Sequence, residues 1–347
     1  MLATRTLQLV DVESPSRQEQ GLEALVAAEV PLEPVHRDDL TLLYEVRRGD
    51  RPLVLLAGHL DTVPAQGNLP GRLEDGVVHG LGAADMKGGL AVMIELARWA
   101  AQQPELAVDL AFLFFPREEL PASESALPAV LGAGLVDDAE LVIVLEPTGN
   151  AIQAGCLGHI AATLAFEGRS GHSARPWLAD NAIDRAVRGL SPLVGLEPRD
   201  VELSGLVFRE VLSVTQLHAG IASNVIPGRA EATLSYRYAP DRTPEEAEAE
   251  LRRLVGDAGT LVDVANSPAA RVVVDTPLAQ RLREAGGFDV EPKQAWTPVA
   301  EFSAHGLDAI NLGPGDPRYA HAVDEQVDAA SLERTFGALQ RFALGSV

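Results

Sequence analysis

Four short, mostly apolar runs constrain this chain more than any other feature. They are Leu42 to Val46, Leu53 to Ala57, Val108 to Phe115 and Leu141 to Leu145. Runs of this length and content read as strands buried on both faces. Helical segments alternate with them, at Gly88 to Gln102 and Ser125 to Gly132. Strands alternating with helices predict an α/β fold whose mixed sheet is covered by helices on both sides. The opening segment, Thr4 to Val30, also has helical periodicity. Ser14-Pro15-Ser16 interrupts it, and Ser16, with Glu19 three residues on, reads as the cap of a second helix.

From His159 the pattern changes. Ile160 to Phe166 alternates like a half-exposed strand, and a helix follows from Asn181 to Leu193. Strands near Glu210 to Leu217 and Ala230 to Tyr238, a charged helix from Thr243 to Val255 and a strand at Leu261 to Val264 complete a β-α-β-β-α-β order, which is ferredoxin-like. Signals of the first kind resume at Pro277 to Ala285, Ala309 to Leu312 and Ser331 to Leu344. The expected organisation is a discontinuous catalytic domain, 1–159 and 267–347, with an inserted α+β domain at 160–266.

Bulk properties exclude several functions. The formal charge of −22 would repel nucleic acid and anionic lipid. No stretch approaches the ~20 apolar residues of a membrane span. The N-terminus lacks the pattern of a secretory signal. Cys156 is the single cysteine, so no disulfide forms within the chain. A cytoplasmic enzyme acting on a small molecule is the expectation.

Chemistry-bearing residues sit where the predicted strands end. Leu53 to Ala57 runs into Gly58-His59-Leu60-Asp61, an imidazole suited to zinc with a carboxylate two residues on that can hold its other nitrogen. Asp85 stands among small residues just before a helix, where it could bridge two metals with its two oxygens or simply cap the helix. Glu118 and Glu119 end the run through Phe115, and two adjacent carboxylates there call for a cation or for separate roles. Glu146 closes another apolar run. His321 lies in a Gly/Pro-rich loop whose turns position it. Two histidines and three carboxylates from five segments make a donor set for two divalent ions, zinc first, with Co2+ or Mn2+ as substitutes.

These motifs resemble the M20 family of co-catalytic zinc peptidases and deacylases over essentially the whole chain. The resemblance rests on Gly58-His59-Leu60-Asp61-Thr62-Val63-Pro64, Ala84-Asp85-Met86-Lys87-Gly88, Glu118-Glu119, Glu146-Pro147 and Ala320-His321, in order and at family-like spacing. Within the family it is strongest to succinyl-diaminopimelate desuccinylases of the actinobacterial type, through Ala57 to Gly71, Glu146 to Gly158, Gly171 to Asn181, Asn224-Val225-Ile226-Pro227 and Asn311 to Pro317. The resemblance implies that His59 and Glu146 hold one metal, that Glu119 and His321 hold the other, and that Asp85 bridges them after a cis bond to Met86. It implies that Asp61 orients His59 and that Glu118 is the general base, passing a proton from water to the leaving amine. It implies a homodimer through the insert, a dimerisation or lid domain whose His172 stabilises the oxyanion in the partner's site. Arg175, Asn224, Arg237 and Thr297 match substrate contacts.

One segment departs from the desuccinylase pattern. Trp296-Thr297-Pro298-Val299-Ala300-Glu301-Phe302 carries Pro298 in place of an Asp and Glu301 in place of an Arg that could clamp a substrate carboxylate. The expected reaction is hydrolysis of an N-acyl amino acid, first N-succinyl-LL-diaminopimelate in lysine biosynthesis. The alternatives are deacetylation of an acyl-ornithine or acyl-lysine, a dipeptidase, and a non-catalytic relative that binds a small ligand or partner. An intact Glu118 beside five intact ligands argues against the last.

Overall fold

A computed structural model describes residues 1–121 and 123–346. The chain divides into two units: Met1–Ala154 with Val273–Glu291 and Glu301–Val347, and Gly155–Val272 with Pro292–Ala300.

The first unit is built on an eight-stranded sheet. Its spatial order is His36–Asp38, Thr41–Val46, Asp109–Phe115, Leu53–His59, Ala139–Val144, Ala309–Asn311, Ile152–Cys156 and Val290–Lys293. Asp109–Phe115, Leu53–His59 and Ala139–Val144 run side by side and parallel, and Ala309–Asn311 continues the parallel set. Thr41–Val46 and Ile152–Cys156 are antiparallel to their neighbours, which makes the sheet mixed. Every residue of Leu53–His59 and Asp109–Phe115 is buried, as strands covered on both faces require. Leu56, Phe112, Phe114 and Ile143 share one core with Leu90 and Ile94 of the helix Gly88–Ala101 and Leu339 and Phe342 of the helix Ala329–Leu344.

Two local details near the N-terminal helices matter for the site. The helices are Leu2–Val10 and Gln20–Glu29, and Ser16 does not cap the second; its hydroxyl donates to Asp61 Oδ2 at 2.8 Å instead. Asp85 does not cap a helix either. It sits in a kinked turn, Ala83–Lys87, with non-helical dihedrals at Asp85 and Met86 and a cis bond between them. The helix that follows begins at Gly88, where backbones crowd. A Cβ on Gly89 would lie 2.4 Å from the Leu145 carbonyl oxygen, so only glycine lets this helix start against the strand end that carries Glu146.

The second unit holds an antiparallel sheet in the order Arg199–Leu203, Leu206–Ala219, Arg229–Tyr238, Gly158–Glu167, Thr260–Ser267. The helices Ala182–Val194 and Pro244–Val255 complete the ferredoxin-like set. Ile160, Ala162, Leu164 and Phe166 alternate onto the same core as Ala186, Leu190, Leu251 and Val255. The strand Arg199–Leu203 was not foreseen, because three of its five residues are charged and only Val201 is buried. It is an edge strand, where charge is tolerated and even useful. The unit is also wider than 160–266. Cys156 bridges Ala270 beyond the main ladder, and the Gln294 side chain bonds the backbone at Val207 and Arg209, which ties 292–300 to it. No helix among the described residues is long and apolar enough to cross a membrane.

The helix Pro244–Val255 starts with a reciprocal cap. Glu246 N donates to Thr243 Oγ1 at 3.2 Å, and Thr243 N donates to Glu246 Oε2 at 2.9 Å. Replacing Thr243 by Ala should cost about 1 kcal/mol, read as a lower midpoint when denaturant unfolding is followed in this unit.

Candidate metal centre

The parallel order of three strands explains why three of the five segments meet. Asp109–Phe115, Leu53–His59 and Ala139–Val144 are adjacent, with His59 opposite Phe115 and Ala57 opposite Val144. Glu118 and Glu119 lie just past the first strand, His59 ends the second, and Glu146 lies just past the third. All project from the carboxyl edge of the sheet, where α/β folds place their ligand sites.

His59 is buried at the centre. Its Nε2 lies 3.1 Å from Asp85 Oδ1 and 3.7 Å from Glu146 Oε1. His321 Nε2 lies 2.8 Å from Glu119 Oε1 and 3.5 Å from Asp85 Oδ2. The two oxygens of Asp85 thus face two histidines from different segments. Ligand-capable atoms gather in three groups, each within 4.8 Å: His59 with Asp85 and Glu146; Asp85 with Glu119 and His321; and His59 with Glu118 and Glu119. His321 has a positive φ of 61°, and Gln66 Nε2 donates to its carbonyl at 3.1 Å.

Asp61 meets the His59 Nδ1 through both its backbone carbonyl, at 3.0 Å, and its carboxylate, at 3.6 Å. That carboxylate also accepts the Glu118 and Glu119 amides at 2.9 and 3.0 Å, as well as the Ser16 hydroxyl. It therefore holds the turn carrying both glutamates. Burial works against the charged form, but the His59 ring, the Glu118 amide and Ser16 outweigh it and hold the Asp61 carboxyl down at about 2.

The other groups show a cluster with excess negative charge. Burial pushes Glu118 well above the carboxylate range; His59 opposes this, while Glu146, Glu119 and Asp85 add to it. Burial disfavours a charged His59, yet Asp61 and Asp85 hold its pKa well above the usual value. His321 is raised to about 9, first by its bond to Glu119, against burial and with help from Asp85. Four carboxylates around two imidazoles, all oxygen and nitrogen donors, fit a pair of divalent cations by chemistry and by charge.

Two further residues belong to this centre: Glu325, which carried no readable signal, and Lys87, which lies in the motif Ala84 to Gly88. Glu325 is buried, and its carboxylate accepts the amides of Gly82, Ala84 and Asp85. Burial raises it to about 7 despite these bonds. Lys87 is buried rather than on the surface, and its Nζ donates to the Val12 carbonyl at 2.8 Å. Burial lowers it to about 8 against the pull of Glu325, Glu13 and Asp11.

The remaining candidates lie elsewhere. In the second unit, His172 is exposed on the strand Gly171–His172, paired with Val225, and its Nδ1 accepts the Ala174 amide. Ser173 N donates to the Asn224 carbonyl, so His172, Arg175 and Asn224 share one exposed loop cluster. Arg237 is apart from them, opposite His159 in the sheet. Burial and the Arg237 charge push His159 down to about 4, which keeps its ring neutral. Thr297 is buried, with its hydroxyl unpartnered. In the first unit, Glu301 sits on the helix Val299–Ala304; one carboxyl oxygen is buried without a partner, and burial raises the group to about 7.

Comparison with known proteins agrees with this arrangement. A Mycobacterium tuberculosis protein provisionally named succinyl-diaminopimelate desuccinylase DapE is 37% identical over 98% of this chain and 97% of its own. The succinyl-diaminopimelate desuccinylase of Corynebacterium glutamicum is 34% identical over 97% of this chain and 94% of its own. A tripeptidase from Staphylococcus aureus shares the fold at a TM-score of 0.79 with 17% identity, covering 99% of this chain and 96% of that one. So does the Bacillus subtilis YXEP protein, a dinuclear metal-binding peptidase of the M20 family, at a TM-score of 0.70 with 18% identity, covering 100% and 98%. The profile of peptidase family M20/M25/M40 matches residues 55–345. The chain belongs to peptidase family M20/M25/M40.

Proposed function

We propose that this hydrolase of amide bonds removes the succinyl group from N-succinyl-LL-diaminopimelate, a step of lysine biosynthesis, using two divalent ions, zinc first. The observation that carries the metal part is Asp85, whose Oδ1 faces His59 at 3.1 Å and whose Oδ2 faces His321 at 3.5 Å. His59 and Glu146 would hold one ion, Glu119 and His321 the other, and Asp85 both. When bound, such ions acidify water and polarise the amide carbonyl.

The chain's own residues supply the rest. Glu118 takes the proton from the attacking water and delivers it to the amide nitrogen as the C–N bond breaks, leaving a carboxylate and an amine. Burial and the neighbouring carboxylates hold this carboxyl above its ordinary range, and bound cations would draw it back toward the ionised form that a base needs. Asp61 keeps Glu118 and Glu119 in register by accepting both their amides. His172 would stabilise the oxyanion of a partner copy's site, and Arg175, Asn224, Arg237 and Thr297 would contact substrate.

The succinyl assignment is supported by the names and coverage of the two desuccinylase relatives. Glu301 favours a second reading. A buried carboxyl would repel an anionic acyl group when ionised, by about 4 kcal/mol at 4 Å and an effective dielectric of about 20. At about 7, however, it is part-neutral near neutral pH, which weakens that repulsion. The second reading is therefore a less anionic substrate, such as an acetylated ornithine or lysine or a dipeptide. A homodimer is part of the proposal. The strand Arg199–Leu203 covers only Leu206 to Glu210, so among the described residues Val211–Ala219 has one open side, and Ile183, Val187 and Val194 are exposed on the helix Ala182–Val194.

Exhaustive chelation should abolish turnover, and Glu118→Gln should lower kcat by roughly 10²–10⁴-fold with metal content unchanged by elemental analysis; loss of both metals in that variant would exchange the roles of Glu118 and Glu119. In a panel of N-succinyl and N-acetyl amino acids, Glu301→Arg should raise kcat/KM for the succinylated substrates relative to the acetylated ones. No change, with efficient wild-type desuccinylation, would place Glu301 outside the pocket. Sedimentation should find a dimer, and Leu217→Asp, on the open strand, should shift it toward monomer; full activity from a strict monomer would refute the role of His172.

A further inference from the structure

We propose that Glu325 is a positioning residue that fixes the direction of the Asp85 carboxylate. This rests on the two-ion reading above. Glu325 Oε2 accepts Gly82 N at 2.7 Å, and Oε1 accepts Ala84 N at 3.0 Å and Asp85 N at 2.9 Å. Its backbone carbonyl accepts Gly80 N at 2.9 Å. Four amides from six consecutive residues therefore end on one residue that is only 2% exposed. Gly82 has a left-handed φ of 77°, and a Cβ there would lie 2.8 Å from Thr62 Cγ2, so the turn is closed on its other side as well.

The backbone of Glu325 is itself anchored. It precedes the strand Gln326–Asp328, whose Gln326 pairs with His79. It also follows His321 by four residues, and that ring reaches both Glu119 and Asp85. A single residue thus sets the spacing between the loop that carries His321 and the turn that carries Asp85. The ionised carboxylate is suited to this because it only accepts, and divalent cations held at Asp85 would favour that form. A glutamine has one oxygen and one NH2, so it must turn donor hydrogens toward either Gly82 N–H or the Ala84 and Asp85 pair. One side of the turn is then left buried without an acceptor, and the Asp85 side chain is free to swing.

The test is calorimetric titration of Zn2+, against a competing chelator, into the metal-free full chain and its Glu325→Gln variant. The variant should bind both ions about 10–100-fold more weakly, and both together, because both use Asp85. With zinc saturating, kcat should fall while KM stays within about 2-fold, since Glu325 does not touch substrate. Hydrogen exchange on the unaltered metal-free chain is a second measurement that needs no variant: the amides of Gly82, Ala84 and Asp85 should exchange slowly. Unchanged zinc affinity, loss of one ion alone, a lower metal-free Tm without weaker zinc binding, or fast exchange at those amides overturns the proposal. If the unaltered chain binds no pair of ions, the two-ion reading itself falls, an outcome distinct from two ions held equally well by both proteins.

Discussion

The first unit is organised around a crowding of like charges. Asp85, Glu118, Glu119 and Glu146 meet at one sheet edge around two imidazoles, and Asp85 stands between the imidazoles with one oxygen toward each. Such a cluster is unfavourable by itself: burial first, then Glu146, Glu119 and Asp85, push the Glu118 carboxyl up. It is tolerated because the backbone holds it from behind and because divalent cations match its donors. Three adjacent parallel strands bring the charges together, and the burial of every residue in two of them and of all but Glu140 in the third supplies the rigidity that prevents them from moving apart.

Two buried carboxylates behind the ligands do the holding. Asp61 gathers the amides of Glu118 and Glu119, and Glu325 gathers those of Gly82, Ala84 and Asp85. Each replaces lost hydration with backbone hydrogen bonds, the condition under which a buried carboxylate is stable. Asp61 has the His59 ring and Ser16 besides and stays strongly acidic, whereas Glu325 is less completely compensated and lies near 7. The turns that present the ligands are thus held by carboxylates as well, with backbone N–H groups as their partners.

Burial also sets the charge of groups outside the cluster. Glu301 departs from the desuccinylase pattern in sign, but its burial leaves it part-neutral near neutral pH, so a reversed formal charge acts less strongly than its letter suggests. His159 follows the same logic in the second unit, where burial and Arg237 keep it neutral at the junction. Local dielectric decides the charge each residue presents, and that is not written in the residue type.

Much of this was legible in the sequence, for reasons that are local. The apolar runs had to be buried strands, and His59, Glu118, Glu119 and Glu146 follow such runs directly, so their common edge could be read from alternation with helices. The insert's alternating strands and its two helices were equally plain. Asp85 and His321 were legible as candidates from their small and turn-forming neighbours. The tertiary structure alone decided what depends on distant partners: that Ser16 bonds Asp61 instead of capping a helix, that Lys87 is buried, that a polar stretch at Arg199–Leu203 is an edge strand, and that Glu325 clamps the Asp85 turn. Hydrophobic periodicity reports which face of a segment is buried, whereas the partner of a buried polar group is chosen by three-dimensional proximity across as many as 243 residues of chain, for which no local pattern exists.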